Sequence, residues 1–200
     1  MVGGDHTRIA ATLAAVVLSL VTLSACASGA AEGDSAYPDL SLAETKSPVQ
    51  LLRNETTARI PTGAIESLGE ATDVSLACLA EDRDPEGLIR QWSSTSVVLI
   101  ERASQWRTAK IGKDVVQSLV DEGWVARDGG GSATIHRTLL TKDSSLAEIQ
   151  VETKEPDAGR VSTSTDEEVT DYRIEIETHG PCVETDGAKS DDVISLEKAE

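Results

Sequence analysis

The sequence predicts an α+β fold: a two-layer domain with one mostly antiparallel sheet of four to five strands and two main helices on one face. Three observations carry this expectation. Apolar residues recur at helical spacing in two segments, one near residues 48–60 and one near 108–122. Period-two alternation marks the segments between and after them. Several of the strand-like segments are joined by short polar turns, which favours antiparallel neighbours covered by helices on one side.

The first helix is read from "SPVQLLRNETTARIP". Ser47 is placed to cap it, Pro48 suits the first helical position, and Gln50 completes a capping box. Val49, Leu52, Thr56 and Ile60 follow near helical spacing, and Pro61 stops the helix. In "DVSLACLA" the alternation puts Val74, Leu76, Cys78 and Ala80 on one inward face of a strand. "EDRDPEG" turns the chain, and "SSTSVVLIE" continues to Glu101 as a second strand.

The second helix starts near Ser104 or Thr108 and runs to Glu122. Ile111, Val115 and Leu119 form its apolar stripe, Val116 and Val120 lie beside it, and Gly123 caps it. Three strand-like pieces follow: "WVAR" leading into "ATIHRTLLT", then "LAEIQVET", then "TDYRIEIET". Ala147, Ile149 and Val151 share one face of the second piece. In the third, Tyr172, Ile174 and Ile176 alternate with charged residues, so one face of the sheet is expected to meet water. "TKDSSL" reads as a hairpin turn, "DGGG" at Asp128 to Gly131 as a loop, residues 154–168 as a long polar loop, and "DDVISLEKA" as a short terminal helix.

Upstream of the domain, Arg8 and the amino terminus precede "IAATLAAVVLSLVTL", an uncharged run of 15 residues. A membrane-crossing helix needs about 20, so the run suits the apolar region of a secretory signal. It ends at Leu23-Ser24-Ala25-Cys26. These four residues resemble the lipobox of bacterial lipoproteins: an aliphatic residue, a small one, Gly or Ala, then Cys. The resemblance implies that the Cys26 thiol receives a diacylglyceryl group and that cleavage makes Cys26 the new amino terminus. Two acyl chains, at about 0.8 kcal/mol per buried methylene, hold a protein stably to a bilayer. The expected organisation is a signal peptide over 1–25, a flexible acidic tether over 26–46, and a single extracytoplasmic domain over 47–200. The helix ending in Gly123-Trp124 and running into strands, behind a lipobox and an acidic tether, is similar to small envelope lipoproteins of actinobacteria. The Ala-rich signal and the absence of Phe fit that group. The likeness implies location and fold, with no assigned chemistry.

Charge narrows the partners. The chain carries a net −17, and Asp5 and Arg8 cancel within the signal. An acidic surface repels nucleic acid and equally argues against lying flat on anionic lipid; the expectation is solubility in a salty envelope, the functional alternative being attraction of divalent cations or a basic partner. With Cys26 lipidated, Cys78 and Cys182 remain as an even pair in an oxidising compartment, and a disulfide is expected. It would staple the final β-ribbon to the first strand and place those strands near each other. A Cys182–His179 catalytic pair is the competing reading of "HGPC" and would need a free thiolate.

Asp82, Asp84 and Glu86 occupy calcium-loop positions in "DRDPEGLI", but Ser93 stands where a bidentate Glu belongs; a solvated turn is the expectation. Trp92, Trp106 and Trp124 are expected in the helix–sheet interface, the alternative being sugar-stacking surface rings. His136 and His179 lack ligand-spaced neighbours, so no zinc site is expected, and no cofactor is implied. No nucleophile elbow occurs. The functional expectation is a non-enzymatic binding or interaction module on the extracytoplasmic side of the cell membrane. It would be held there by its lipid and would meet an envelope protein or cell-wall partner. A small-molecule or lipid carrier, with a pocket between helix and sheet, is the alternative.

Overall fold

A computed structural model of the chain describes residues 37–156 and 171–198. The signal and lipobox readings lie outside these residues. Helix α1 (Leu42–Thr57) opens on Ser41, whose hydroxyl accepts the Glu44 N–H at 3.3 Å while the Glu44 carboxylate accepts the Ser41 N–H at 2.8 Å. This corrects the expected start at Ser47, because residues 42–46, read as tether, are helical. The reason lies in the pattern: Leu42 and Thr45 are buried and extend the stripe of Val49, Arg53 and Thr56 by one more turn. Pro48 therefore sits inside the helix. Lys46 is likewise part of the fold, with its ammonium 4.6 Å from the centre of the Trp92 ring and donating to the Leu196 carbonyl at 2.8 Å.

Among the described residues the sheet holds eight strands, more than expected, and every pairing is antiparallel. They are β1 (Ile65–Leu68), β2 (Thr72–Ala77), β3 (Ile89–Ile100), β4 (Val125–Gly131), β5 (Ile135–Thr141), β6 (Glu148–Lys154), β7 (Arg173–His179) and β8 (Val183–Glu184). The spatial order is β1, β3, β7, β6, β5, β4, with β2 and β8 also paired to β3. The higher count has a simple origin. The 12-residue β3 is long enough to take two short strands along each edge, β1 and β2 on one side, β7 and β8 on the other. "WVAR" and "ATIHRTLLT" are also separate strands, and "DGGG" is no loop but the bulged end of β4, with Gly131 opposite His136.

Helix α2 (Thr108–Asp121) follows a 3-10 segment, Arg102–Arg107. Its stripe of Ile111, Val115 and Leu119 is buried as expected, and Gly123 ends it with a φ of 92° that favours glycine. A third helix, α3 (Asp191–Lys198), packs beside α1, with Val193 buried against Leu42, Trp92 and Val183. The core thus falls into two clusters. One lies under α2, around Val98, Ile149, Ile174 and Trp124; the other lies under α1 and α3, around Trp92.

Where α2 crosses β6, Gly112 lies against the Thr153 side chain, and a Cβ there would overlap its Cγ2 methyl. Gly112→Ala is expected to destabilise the domain by about 1–3 kcal/mol through overpacking. Thr153→Ser, which removes that methyl, should recover most of the loss in paired urea denaturation curves.

The inward face of β2 is the opposite of the expected one. Asp73 and Ser75 are buried, whereas Val74 and Leu76 are 36% and 37% exposed. Buried polar groups persist only where hydrogen bonds replace water, and here they do. The Asp73 carboxylate accepts from Arg53 Nη1 at 3.1 Å and from Trp92 Nε1 at 3.2 Å. The Ser75 hydroxyl accepts from Arg90 Nε at 3.0 Å and donates to Glu197 of α3 at 2.6 Å. On the helix-free face, Arg137, Glu152, Lys154, Glu175 and Arg173 form a row of ion pairs across β5, β6 and β7. Glu152 and Lys154 are buried there, so this part of the face is not the solvated surface that the alternation predicts.

Candidate functional site

Cys78 and Cys182 are joined by a disulfide, with their Cα atoms 6.1 Å apart. Cys78 follows β2 and Cys182 precedes β8, and both strands pair with β3. The bridge therefore ties the two edges of β3 together. The strands it links flank β3 on opposite edges, so they lie near each other in the sheet, as expected, without pairing directly. It also removes the Cys182 thiol from any nucleophilic role. His179 stands on the helix-free face with its Nε2 3.5 Å from Glu177, whose carboxylate accepts the Ser93 hydroxyl at 3.2 Å.

The Asp82 loop is a turn built around one carboxylate. Asp84 is buried, and its oxygens accept the N–H groups of Leu88 at 2.9 Å and Ile89 at 2.8 Å. The Ile89 amide, then the Leu88 amide, hold its pKa below the ordinary carboxylate range. Asp82 and Glu86 are exposed, so the three carboxylates do not converge. Among the described residues no group of three or more His, Cys, Asp or Glu side chains could hold a metal ion.

Three surfaces remain. A groove of about 560 Å³ runs between the start of α1, β8 and α3. Leu42, Leu88, Val193 and Leu196 form its apolar floor, and Glu184, Asp186 and Asp192 stand along it. A second cavity, about 600 Å³, opens between α2 and the overhanging inner face of β4 and β5. Gly112, Val116, Ala126 and Val151 supply its apolar wall, and Lys113, Asp128, His136 and Thr138 its polar rim. His136 pairs with Thr153 across β5 and β6, which sets it on the helix side of the sheet.

The third surface is the 3-10 segment before α2. Trp92 and Trp124 fill the core as expected, but Trp106 is exposed with Arg102 and Arg107 beside it in the chain. No family model matches this chain, and no curated protein sequence matches it either. Chemically, the groove offers carboxylates over hydrocarbon, the cleft offers mixed donors and acceptors beside a narrow apolar wall, and the Trp106 segment offers a ring among cations. The expectation for Trp106 failed because the helical apolar period begins only at Ile111. "RASQWR" has no apolar partners at helical spacing to draw its tryptophan inward. That lack of periodicity was the available signal.

Proposed function

We propose that this chain is a lipid-anchored, extracytoplasmic, non-enzymatic binding or interaction module of the cell envelope. The observation that carries the reading is the apolar groove between α1, β8 and α3, with Glu184, Asp186 and Asp192 along it. On a chain of net charge −17, such a groove suits a basic partner segment that also brings an apolar side chain. Cys26 supplies the anchor, and the disulfide beside β8 stiffens one wall of the groove.

Two measurements test this. Cys26→Ser is expected to move the protein from the membrane to the soluble fraction after secretion, without changing its thermal transition. Retention in the membrane would sink the anchor. Cross-linking in intact cells from Asp192→Cys should capture a discrete partner, and capture should fall when Glu184 and Asp186 are changed to Gln.

The cavity under α2 favours a second reading, a small-molecule or lipid carrier, because ligand sites typically enclose about 300–1,000 Å³ with apolar walls and few polar groups. Native mass spectrometry of protein purified from the envelope separates the two. An extra mass beyond the covalent lipid on Cys26, lost on denaturation, supports the carrier, and the lipidated polypeptide with nothing else bound supports the interaction module.

A further inference from the structure

We propose that Arg102, Trp106, Arg107 and Lys113 form a face that seats the domain on the anionic phospholipid surface to which its lipid holds it. The inference deepens the lipid-anchored reading and rests on it. Trp106 is 81% exposed, against 0% for Trp92 and 7% for Trp124, yet its ring has a definite pose. The indole Nε1 donates to the Ala103 carbonyl at 3.0 Å, and the Arg107 guanidinium carbon lies 5.7 Å from the ring centroid. Indole rings favour the headgroup layer of a bilayer, where an apolar body and a polar edge are both accommodated.

Charge selects the occupant. Between Glu101 and Asp114 the segment "RASQWRTAKIGK" carries four bases and no acid, in a chain whose net charge is −17. The neighbouring acids are already engaged. Glu101 accepts the Ala103 N–H at 2.7 Å, Asp114 pairs with Lys110 at 2.6 Å, and Glu155 accepts the Ala109 N–H at 2.9 Å. Among the described residues, Arg102, Arg107 and Lys113 have no carboxylate partner. Lys110 and Lys113 follow in the first two turns of α2, directly after the 3-10 segment that carries Arg102, Trp106 and Arg107. Basic residues near an anionic leaflet are attracted to it over about a Debye length.

The rest of the surface is acidic and opposes approach, so the untethered chain stays in solution. Anchoring changes that balance. Residues 27–40 reach at most roughly 50 Å when extended, and a short tether raises the effective concentration to about the millimolar range. A contact too weak to recruit the protein can then still orient it.

The experiment uses the chain from Cys26 onward. With Cys78 and Cys182 bonded, Cys26 is the one free thiol of three cysteines, and it couples to a maleimide phospholipid whether or not cells lipidate it. Acrylamide quenching of tryptophan fluorescence then reports chiefly on Trp106, because the other two rings are buried. On vesicles containing phosphatidylglycerol at low salt, quenching is expected to fall roughly threefold relative to phosphatidylcholine alone, and to recover when about 1 M salt screens the surface. Arg102→Glu with Arg107→Glu and Lys113→Glu should abolish the protection while leaving the melting curve intact; the Gln versions serve if charge reversal unfolds the chain. Equal quenching on both vesicles, or protection that survives charge reversal, overturns the inference and leaves the Cys26 fractionation result standing. Protection that appears only with an added anionic wall polysaccharide overturns it in favour of a polymer ligand.

Discussion

Reducing the Cys78–Cys182 bridge, or replacing both cysteines with alanine, is expected to destabilise the domain by about 4–5 kcal/mol. The bridge closes a loop of 104 positions, and the chain-entropy model assigns about 4.7 kcal/mol to a closed loop of about 100 residues. For a domain of this size each kcal/mol moves the melting temperature by roughly 2–4 °C, so the transition should fall by roughly 8–20 °C. The native contacts explain why the effect reaches beyond the termini of the loop. Between the two cysteines lie β3, α2 and β4 to β7, which is most of the sheet and the larger core cluster. Calorimetry with and without reductant measures the shift directly. An unchanged transition in reductant would mean that the folded state does not depend on the bridge.

Arg53→Met is expected to cost about 3–5 kcal/mol, because it takes the paired guanidinium away from the enclosed Asp73 carboxylate. Arg53 lies on α1 and Asp73 on β2, and their side chains are among the most enclosed charges of the protein. Arg53 Nη1 also donates to the Ser94 hydroxyl at 2.7 Å, so a single guanidinium joins α1, β2 and β3. The diagnostic comparison is the double variant Arg53→Met with Asp73→Asn. Asparagine removes the buried charge but keeps an acceptor for Trp92 Nε1, so the double variant should regain a large part of what the single variant loses. Equilibrium urea denaturation of the wild type and both variants measures this. Two equal losses would show that packing around the methionine, and not the loss of the guanidinium beside the carboxylate, sets the cost.

These two results bear differently on what could be read before the structure. The disulfide followed from counting: once Cys26 is assigned to the lipid, two cysteines remain. The Arg53–Asp73 pair could not be found that way. Alternation in "DVSLACLA" points Val74 and Leu76 inward, because periodicity weighs only hydrophobicity. Asp73 and Ser75 win the inner face because Arg53, Arg90 and Trp92 arrive from α1 and β3 to satisfy them. The same blindness explains the start of α1. "SPVQ" reads as the helix opening, and Leu42 and Thr45 move the start back to Ser41 by burying against elements distant in sequence. The candidate surfaces divide likewise. Asp82, Asp84 and Glu86 were visible as a motif, yet Asp84 spends its oxygens on its own turn. The groove was invisible, since its floor draws on α1, the segment leading into β3, and α3.

What the sequence determined by itself was local. It set the two main helices and the terminal one, the alternation of β6 and β7, the cysteine pairing and the acidic charge, because each depends on residues within a few positions or on a count. The tertiary structure decided the eight-stranded order around β3, the face that β2 turns inward and the exposure of Trp106. It also decided the two cavities. Those features depend on which distant group satisfies a polar atom or covers an apolar one, and hydrophobic periodicity carries no record of such partners.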